Sequence, residues 1–253
     1  MIWFVGAGSG AADLITVKGR RLLGEADQVI YAGSLVNPEL LQFTRTDAKI
    51  LDSAVMTLEE VLDAMLACER EGGMTVRLHT GDPSLYGAIR EQMDALEARG
   101  IAYDVVPGVS SFSAAAAALK AEYTLPGVSQ TLIITRMAGR TPVPEREDLA
   151  ALASHGGGMA VFLSAGMLPG VQEKLLAGGY APETPAAIVH KASWPDEKTY
   201  RCTVGTLAET GRENGICKTA LILVGGFLGE TYERSKLYDP SFTTEFRKGR
   251  DAD

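Results

Sequence analysis

Short apolar runs alternate with segments of helical periodicity through the first half of the chain. Trp3 to Val5 is an apolar run that predicts a strand, Val17 to Leu23 carries helical spacing, and Gln28 to Tyr31 is a second strand. Thr57 and Glu60 form a capping-box signature, in which each side chain satisfies the other residue's backbone N–H. Leu58, Val61, Leu62, Met65 and Leu66 then supply the apolar stripe of a helix. Met74 to Leu78 reads as a strand, Ala88 to Arg99 as a helix stopped by Gly100, Tyr103 to Val106 as a strand and Ser111 to Lys120 as a helix. This rhythm is that of β-α-β units around a mostly parallel sheet.

The segment 121–130, with Pro126-Gly127, interrupts it and is the expected linker. Beyond it, Thr131 to Arg136, Met159 to Leu163, Ala186 to Lys191, Thr199 to Val204 and Ala220 to Val224 predict a second sheet. The short turn with Trp194-Pro195-Asp196 joins two of these runs as a hairpin, so this sheet should be mixed. The expectation is two α/β domains, 1–120 and 131–239, followed by a polar, loose tail at 240–253.

At 253 residues, 46% hydrophobic and 22% charged, the chain can bury a sizeable core and reads as an ordinary globular protein. No apolar run approaches the roughly 20 residues of a membrane span; Ala114 to Leu119 reads as a piece of buried helix. The start, Met1 to Gly6, lacks the basic flank and cleavage site of a secretion signal. Cys68, Cys202 and Cys217 are odd in number and lack metal-ligand spacing, which points to a reducing, cytoplasmic setting. A formal charge of −8 argues against nucleic acid as a partner, although a locally basic cleft could still take an anionic small molecule.

Gly6-Ala7-Gly8-Ser9-Gly10-Ala11 follows the first strand in the manner of a dinucleotide fingerprint. That reading needs an acid at the end of the second strand, but Tyr31 is followed by Ala32-Gly33 and the nearest acid, Asp27, precedes the strand. The loop also lacks the Lys-Ser/Thr ending of a phosphate-binding P-loop. A tight turn at the sheet edge accounts for these glycines equally well.

Three further motifs end predicted strands, where open α/β sheets bind ligands. They are His79-Thr80-Gly81-Asp82-Pro83-Ser84-Leu85-Tyr86-Gly87, Val106-Pro107-Gly108-Val109-Ser110-Ser111 and Thr135-Arg136-Met137-Ala138-Gly139-Arg140-Thr141-Pro142. Taken in order with Gly6-Ala7-Gly8 and Leu14-Ile15-Thr16-Val17-Lys18-Gly19, they resemble the tetrapyrrole (corrin/porphyrin) methylase family from the first residue to about Leu228. The resemblance implies a two-domain homodimer with S-adenosylmethionine in the cleft between domains. It implies cofactor contacts from Thr80, Gly81, Asp82, Leu85, Ser110 and Ser111, and from Leu163, Ser164, Ala192, Thr219 and Ala220.

Physical chemistry is compatible with that ligand, which needs polar backbone groups and few charges. Gly81 and Gly108 would admit close backbone approach, and Ser110 and Ser111 would offer hydroxyls and helix-start N–H groups. Each feature alone reads as a simple turn or a helix cap. The first loop departs from the family's G-x-G-P-G-D pattern by carrying Ser9 and Ala11.

Within the family, Tyr31-Ala32-Gly33-Ser34-Leu35-Val36, the stretch His79 to Ile89, Gly139 to Pro144 and Lys191 to Lys198 look like the branch that methylates precorrin-4, or cobalt-precorrin-4, at C-11 in cobalamin biosynthesis, giving precorrin-5, with the presence of cobalt left open. The expected reaction is direct attack of a macrocycle carbon on the sulfonium methyl, with S-adenosylhomocysteine leaving. The substrate's carboxylates call for cations, and Arg136 (first), Arg140 and Lys191 sit at strand ends beside the motifs. No metal is expected, since His79, His155 and His190 stand far apart in the chain; His155 reads as a helix-end residue and His190 as a packed strand residue. The sequence identifies no general base. Alternatives are another precorrin or uroporphyrinogen methylase, an RNA-ribose or protein-histidine methylase of the same fold, a dinucleotide-dependent oxidoreductase, and a module that senses S-adenosylmethionine.

Overall fold

The computed structural model describes residues 1–33 and 35–250. Ser34 of the Tyr31–Val36 motif and the last three residues of the tail, 251–253, lie outside the described residues. The chain divides into two compact units, one of Met1–Ala115 with Lys191–Glu197, the other of Ala116–His190 with Lys198–Asp253.

In the first unit, β1 (Ile2–Gly6) is apolar on both faces, so it must lie inside a sheet covered on both sides. Around it run β2 (Gln28–Tyr31), β3 (Lys49–Asp52), β4 (Thr75–His79) and β5 (Tyr103–Val106), in the order β3-β2-β4-β1-β5. All four pairings are parallel, so Tyr31, Asp52, His79, Val106 and Gly6 end at one edge. Val5, Val29, Val76, Leu78 and Val106 pack with Leu22 and Leu23 of helix α1 (Val17–Glu25). Ile2, Phe4 and Ile30 pack with Val61 and Met65 of α2 (Leu58–Arg70) and Leu96 of α3 (Arg90–Glu97).

The helix termini follow local chemistry. Thr57 and Glu60 form the reciprocal capping box, with Glu60 N–H to Thr57 Oγ1 at 3.3 Å and Thr57 N–H to Glu60 Oε2 at 2.7 Å. Helix α3 begins later than its periodicity predicts because Ala88 has φ of 50°, a left-handed conformation that no α-helix accommodates. Gly100, at φ 66°, ends that segment. Helix α4 (Ser111–Leu119) stops at Lys120, φ 52°, with Ala121 N–H reaching back to Ala116 O.

The second unit holds β6 (Leu132–Arg136), α5 (Leu149–Ala153), β7 (Gly158–Phe162), α6 (Leu168–Ala177), β8 (Pro185–His190), β9 (Lys198–Thr203), α7 (Leu207–Glu213) and β10 (Ala220–Val224). Its sheet runs β6-β7-β10-β8-β9 and is mixed: β6 and β7 are parallel and the other pairs antiparallel. The expected hairpin is β8–β9, in register from Pro185–Thr203 to His190–Lys198. Leu149, Met159, Val161, Leu168, Val171, Leu175, Ile188, Leu207 and Ile222 form the core under α5, α6 and α7. Residues 121–130 hold a tight turn closed by a Leu125–Ser129 bridge around Gly127. In the tail, Arg247 donates to the carbonyls of Leu237 (3.0 Å) and Asp239 (2.6 Å) and folds the segment back on itself.

The capping box gives a direct test of the element most legible in the sequence. Thr57→Ala is expected to cost about 1 kcal/mol, read as a lower urea midpoint and faster amide exchange in the first turn of α2.

Candidate functional site

The carboxyl edge of the parallel sheet is where three loops interlock. Gly8 and Gly81 pair as an isolated antiparallel bridge, with Gly81 N–H to Gly8 O at 2.8 Å and Gly8 N–H to Gly81 O at 3.2 Å. A side chain at Gly108 would start 2.1 Å from Gly81 O, and one at Gly6 would start 2.5 Å from Gly108 Cα. Asp82 stitches the third strand of this crossing: its Oδ2 accepts from Gly108 N–H at 2.9 Å, and its Oδ1 from Ser84 N–H at 2.9 Å and from the Ser84 hydroxyl. Burial opposes the charge on Asp82, but the Ser84 hydroxyl and the Gly108 and Ser84 amides outweigh it, holding the carboxyl below its ordinary pKa. Gly108 is glycine because two other backbones, those of Gly81 and Gly6, occupy its side-chain space. Gly81 meets only looser neighbours, but its φ of 62° favours glycine.

The expected contact residues of this unit lie together on that crossing. A Cβ on Gly81 would stand 3.6 Å from Ser110 Cα and 3.7 Å from Ser111 N. Ser110 is the N-cap of α4, its carbonyl accepting from Ser113 and Ala114, so the first-turn amides of that helix face the crossing. Leu85 closes the turn by donating its N–H to Asp82 O at 3.2 Å. The Thr80 hydroxyl is buried without any hydrogen-bond partner, an arrangement that costs free energy unless a ligand or water completes it. Beside this edge Asp52 Oδ1 accepts from Gly33 N–H at 2.9 Å and Ser53 Oγ donates to Tyr31 O at 3.1 Å, fixing the loop after β2. Sequence reasoning missed Asp52 because β3 itself was not predicted.

The glycine-rich start does not serve as a dinucleotide loop. Helix α1 begins only at Val17, capped by Thr16 Oγ1 accepting from Gly19 N–H at 3.0 Å, so no α-helix N-terminus adjoins Gly10 or Ala11. Gly8 is instead spent on the bridge to Gly81.

Of the remaining contact residues, Leu163, Ser164, Thr219 and Ala220 belong to the second unit and gather at one sheet end. Leu163 follows β7 and Thr219 precedes β10, and these strands are antiparallel neighbours. Both are non-glycine residues in the left-handed region, φ 53° and 54°, and Leu163 is 63% exposed. Such strain persists where surrounding structure imposes it, which is characteristic of ligand sites. Ser164 is wholly buried; its hydroxyl donates to Phe162 O at 2.7 Å and accepts from Met137 N–H at 3.0 Å. That hydroxyl holds the β6 and β7 loops together, leaving backbone groups for any ligand. Ala220 begins β10 opposite His190, and Ala192 is buried in the first unit.

The three expected cations differ. Arg136 donates to the carbonyls of Met137 (3.3 Å), Thr141 (3.1 Å) and Pro142 (2.6 Å), bracing its own loop. Lys191 pairs with Asp196 at 2.5 Å. Arg140 is exposed, and among the described residues no ion pair or hydrogen bond involves its side chain. No cluster of three or more His, Cys, Asp or Glu side chains among the described residues could hold a metal, and no described helix is long and apolar enough to cross a membrane.

Residues 1–208 match the family model of the tetrapyrrole (corrin/porphyrin) methylases. The chain is 54% identical over 245 residues to the cobalt-precorrin-4 C(11)-methyltransferase of Methanocaldococcus jannaschii, covering 96% of this chain and 95% of that protein. The crystal structure of the cobalt precorrin-4 methyltransferase CbiF superposes with a TM-score of 0.89 at 49% identity, over 90% of this chain and 96% of that one. Uroporphyrin-III C-methyl transferase from Thermus thermophilus, complexed with S-adenyl homocysteine, does so with a TM-score of 0.77 at 27% identity, over 90% and 98%.

His79 lies immediately before the Thr80 loop, yet its ring is buried against Phe4, 6.0 Å between centroids, and not in any loop. Burial first, and the nearby Arg77 guanidinium second, push its pKa from 6.5 down to about 3. Burial likewise lowers Arg77 to about 10; its guanidinium donates to Ile30 O at 3.2 Å. Between those two histidine values the unfolded chain binds a proton that the folded chain refuses. Stability is thus whole above pH 6.5 and falls as the pH drops below it, by up to about 1.4 kcal/mol per pH unit. His79→Gln should flatten the slope of urea-unfolding free energy between about pH 7 and 5, a window that lies above ordinary carboxylate titration.

Proposed function

Because the chain belongs to the tetrapyrrole (corrin/porphyrin) methylase family, we propose that it is an S-adenosylmethionine-dependent methyltransferase acting at C-11 of precorrin-4 or its cobalt complex. The observation that carries this reading is the loop crossing at Gly6, Gly81 and Gly108, with the Thr80 hydroxyl buried and unpaired beside it. It offers uncharged polar groups and no phosphate cradle, the complement expected for an amino-acid head, a sulfonium and an adenosine.

S-adenosylmethionine supplies a methyl group on a sulfonium that leaves readily, so the protein is asked for alignment and exclusion of water. In this reading Thr80, Gly81, Asp82 and Leu85 hold the donor from one loop, and Ser110 and Ser111 from the start of α4. The Asp82 carboxylate acts indirectly, keeping both loops in register through Ser84 and Gly108. Leu163, Ser164, Ala192, Thr219 and Ala220 contribute backbone N–H and C=O groups and apolar cover to the adenosine. Arg140, uncommitted and exposed, takes a substrate carboxylate; Lys191 does so only by leaving Asp196, and Arg136 shapes the loop that carries Arg140.

The enzyme acts in this reading as a homodimer in the cytoplasm. Exposed Tyr232, Leu237, Tyr238 and Phe246 supply apolar surface for a second copy, and three free cysteines suit a reducing compartment. Light scattering that returned a monomer would remove the first of these two statements.

Calorimetric titration with S-adenosylhomocysteine, and separately with NADH, tests the class. Saturable binding of the former alone supports the proposal, and binding of NADH alone refutes it. Thr80→Val removes one hydrogen bond and should weaken S-adenosylhomocysteine by about five-fold. Arg140→Ala should raise the KM for the tetrapyrrole by roughly ten-fold with kcat changed less than about two-fold, because a peripheral carboxylate contact is made equally in ground and transition states.

A further inference from the structure

The first loop carries Ser9 and Ala11 where the family pattern has proline and aspartate, and residues 191–197 meet it there. Trp194 lies on Gly10 so closely that a Cβ on that glycine would stand 2.2 Å from the indole Cδ1. The indole Nε1–H donates to Ser9 O at 3.2 Å. Ser193 Oγ accepts from Ala11 N–H at 3.1 Å and shares a hydrogen bond of 2.9 Å with Ser9 Oγ, on a serine that is 7% exposed. A proline at position 9 would leave Ser193 without that hydroxyl partner.

The segment is also braced from within. Trp194 N–H donates to Lys191 O at 2.9 Å, Glu197 N–H to Trp194 O at 3.0 Å, and Ser193 N–H to Glu197 Oε2 at 2.6 Å. Lys191 pairs with Asp196 and lies 5.8 Å from the centre of the Trp194 ring. Lys191 and Ser193 hold left-handed backbones, φ 50° and 67°, which non-glycine residues keep only when contacts impose them. Between these two strained residues sits Ala192, 6% exposed.

We propose that Trp194, seated on Gly10 and aided by the Ser9–Ser193 hydroxyl pair, is a positioning residue for the methyl donor: it fixes Ala192 and the loop Gly8–Ala11 in the geometry that receives the cofactor. The inference rests on the cofactor reading above. Trp194 touches no reacting atom; it acts by holding backbone groups still, so that binding spends less on ordering them.

The chain has two tryptophans, so in a Trp3→Phe background the fluorescence of Trp194 reports on this contact alone. Saturation with S-adenosylhomocysteine should shift that emission, along a curve that matches the calorimetric Kd. Trp194→Ala should weaken S-adenosylhomocysteine by roughly ten-fold or more while the tetrapyrrole KM moves less than about two-fold. Trp194→Phe keeps a ring on Gly10 without the N–H donor and should recover most of the loss, to within about five-fold of wild type. If Trp194→Ala does not fold, Ser193→Ala, which deletes only hydroxyl contacts, should still weaken binding by about three- to five-fold. Wild-type Kd values in the folded variants, or an emission unmoved at saturation, overturn the inference and leave the cofactor reading standing. Failure of the wild type to bind S-adenosylhomocysteine overturns both.

Discussion

Three backbone segments cross at the carboxyl edge of the parallel sheet with no room for a Cβ at Gly6 or at Gly108. The carbonyl of Gly81 fills the side-chain space of Gly108, and Gly108 in turn fills that of Gly6. Because the crossing is made by main chain, its dimensions are set by van der Waals contact and by the amide hydrogen bonds between Gly8 and Gly81, not by flexible side chains. One carboxylate, Asp82, ties the crossing to the third loop through Gly108 N–H. Everything proposed for the site depends on that rigidity: the unpaired Thr80 hydroxyl and the first-turn amides of α4 can be presented to a ligand because the loops that carry them cannot drift.

Beneath the crossing the sheet contains an unusual pair. Arg77 and His79 occupy alternate positions of β4 and are both nearly inaccessible, where the fold normally places apolar side chains. Burial first, and repulsion from the neighbouring guanidinium second, disfavour a charged imidazole, and the outcome is a histidine that stays neutral across the physiological range. His79 stands next to the Thr80 loop in the chain, yet it ends a strand buried at every position and its ring packs on Phe4. A residue next to a site in the chain can thus belong to the core, while Trp194, 185 residues from Ser9, belongs to the site's framework.

That contrast explains what was legible in the sequence. Strands β2, β5 and β10 fall on their predicted residues: β2 and β10 are buried on both faces and leave little to confuse them, whereas β5, an edge strand with Asp104 exposed, is read from Tyr103, Val105 and Val106. Strand β3 was missed: Ile50 and Leu51 stand between Lys49 and Asp52 at a half-exposed edge, with no alternation to read. Helices α5 to α7 went unpredicted for related reasons, α5 being five residues long, α6 opening with Pro169-Gly170 and α7 being largely polar. At the site, the motif residues of the first unit could be collected from strand ends. Their reasons could not, since the atoms crowding Gly108 come from residues 6 and 81, and the acceptors of Arg136 depend on a loop that doubles back.

The placement of residues 191–197 in the first unit has a consequence for synthesis. When the opening 115 residues have emerged from the ribosome, every strand of the parallel sheet is available, but the indole that sits on Gly10 has yet to be translated. Until then the amide of Ala11 and the hydroxyl of Ser9 lack their Ser193 partner. The amino-terminal unit is therefore a discontinuous one, whose last piece arrives after most of the second unit has been made, and its completion is tied to contacts of high sequence separation that close late.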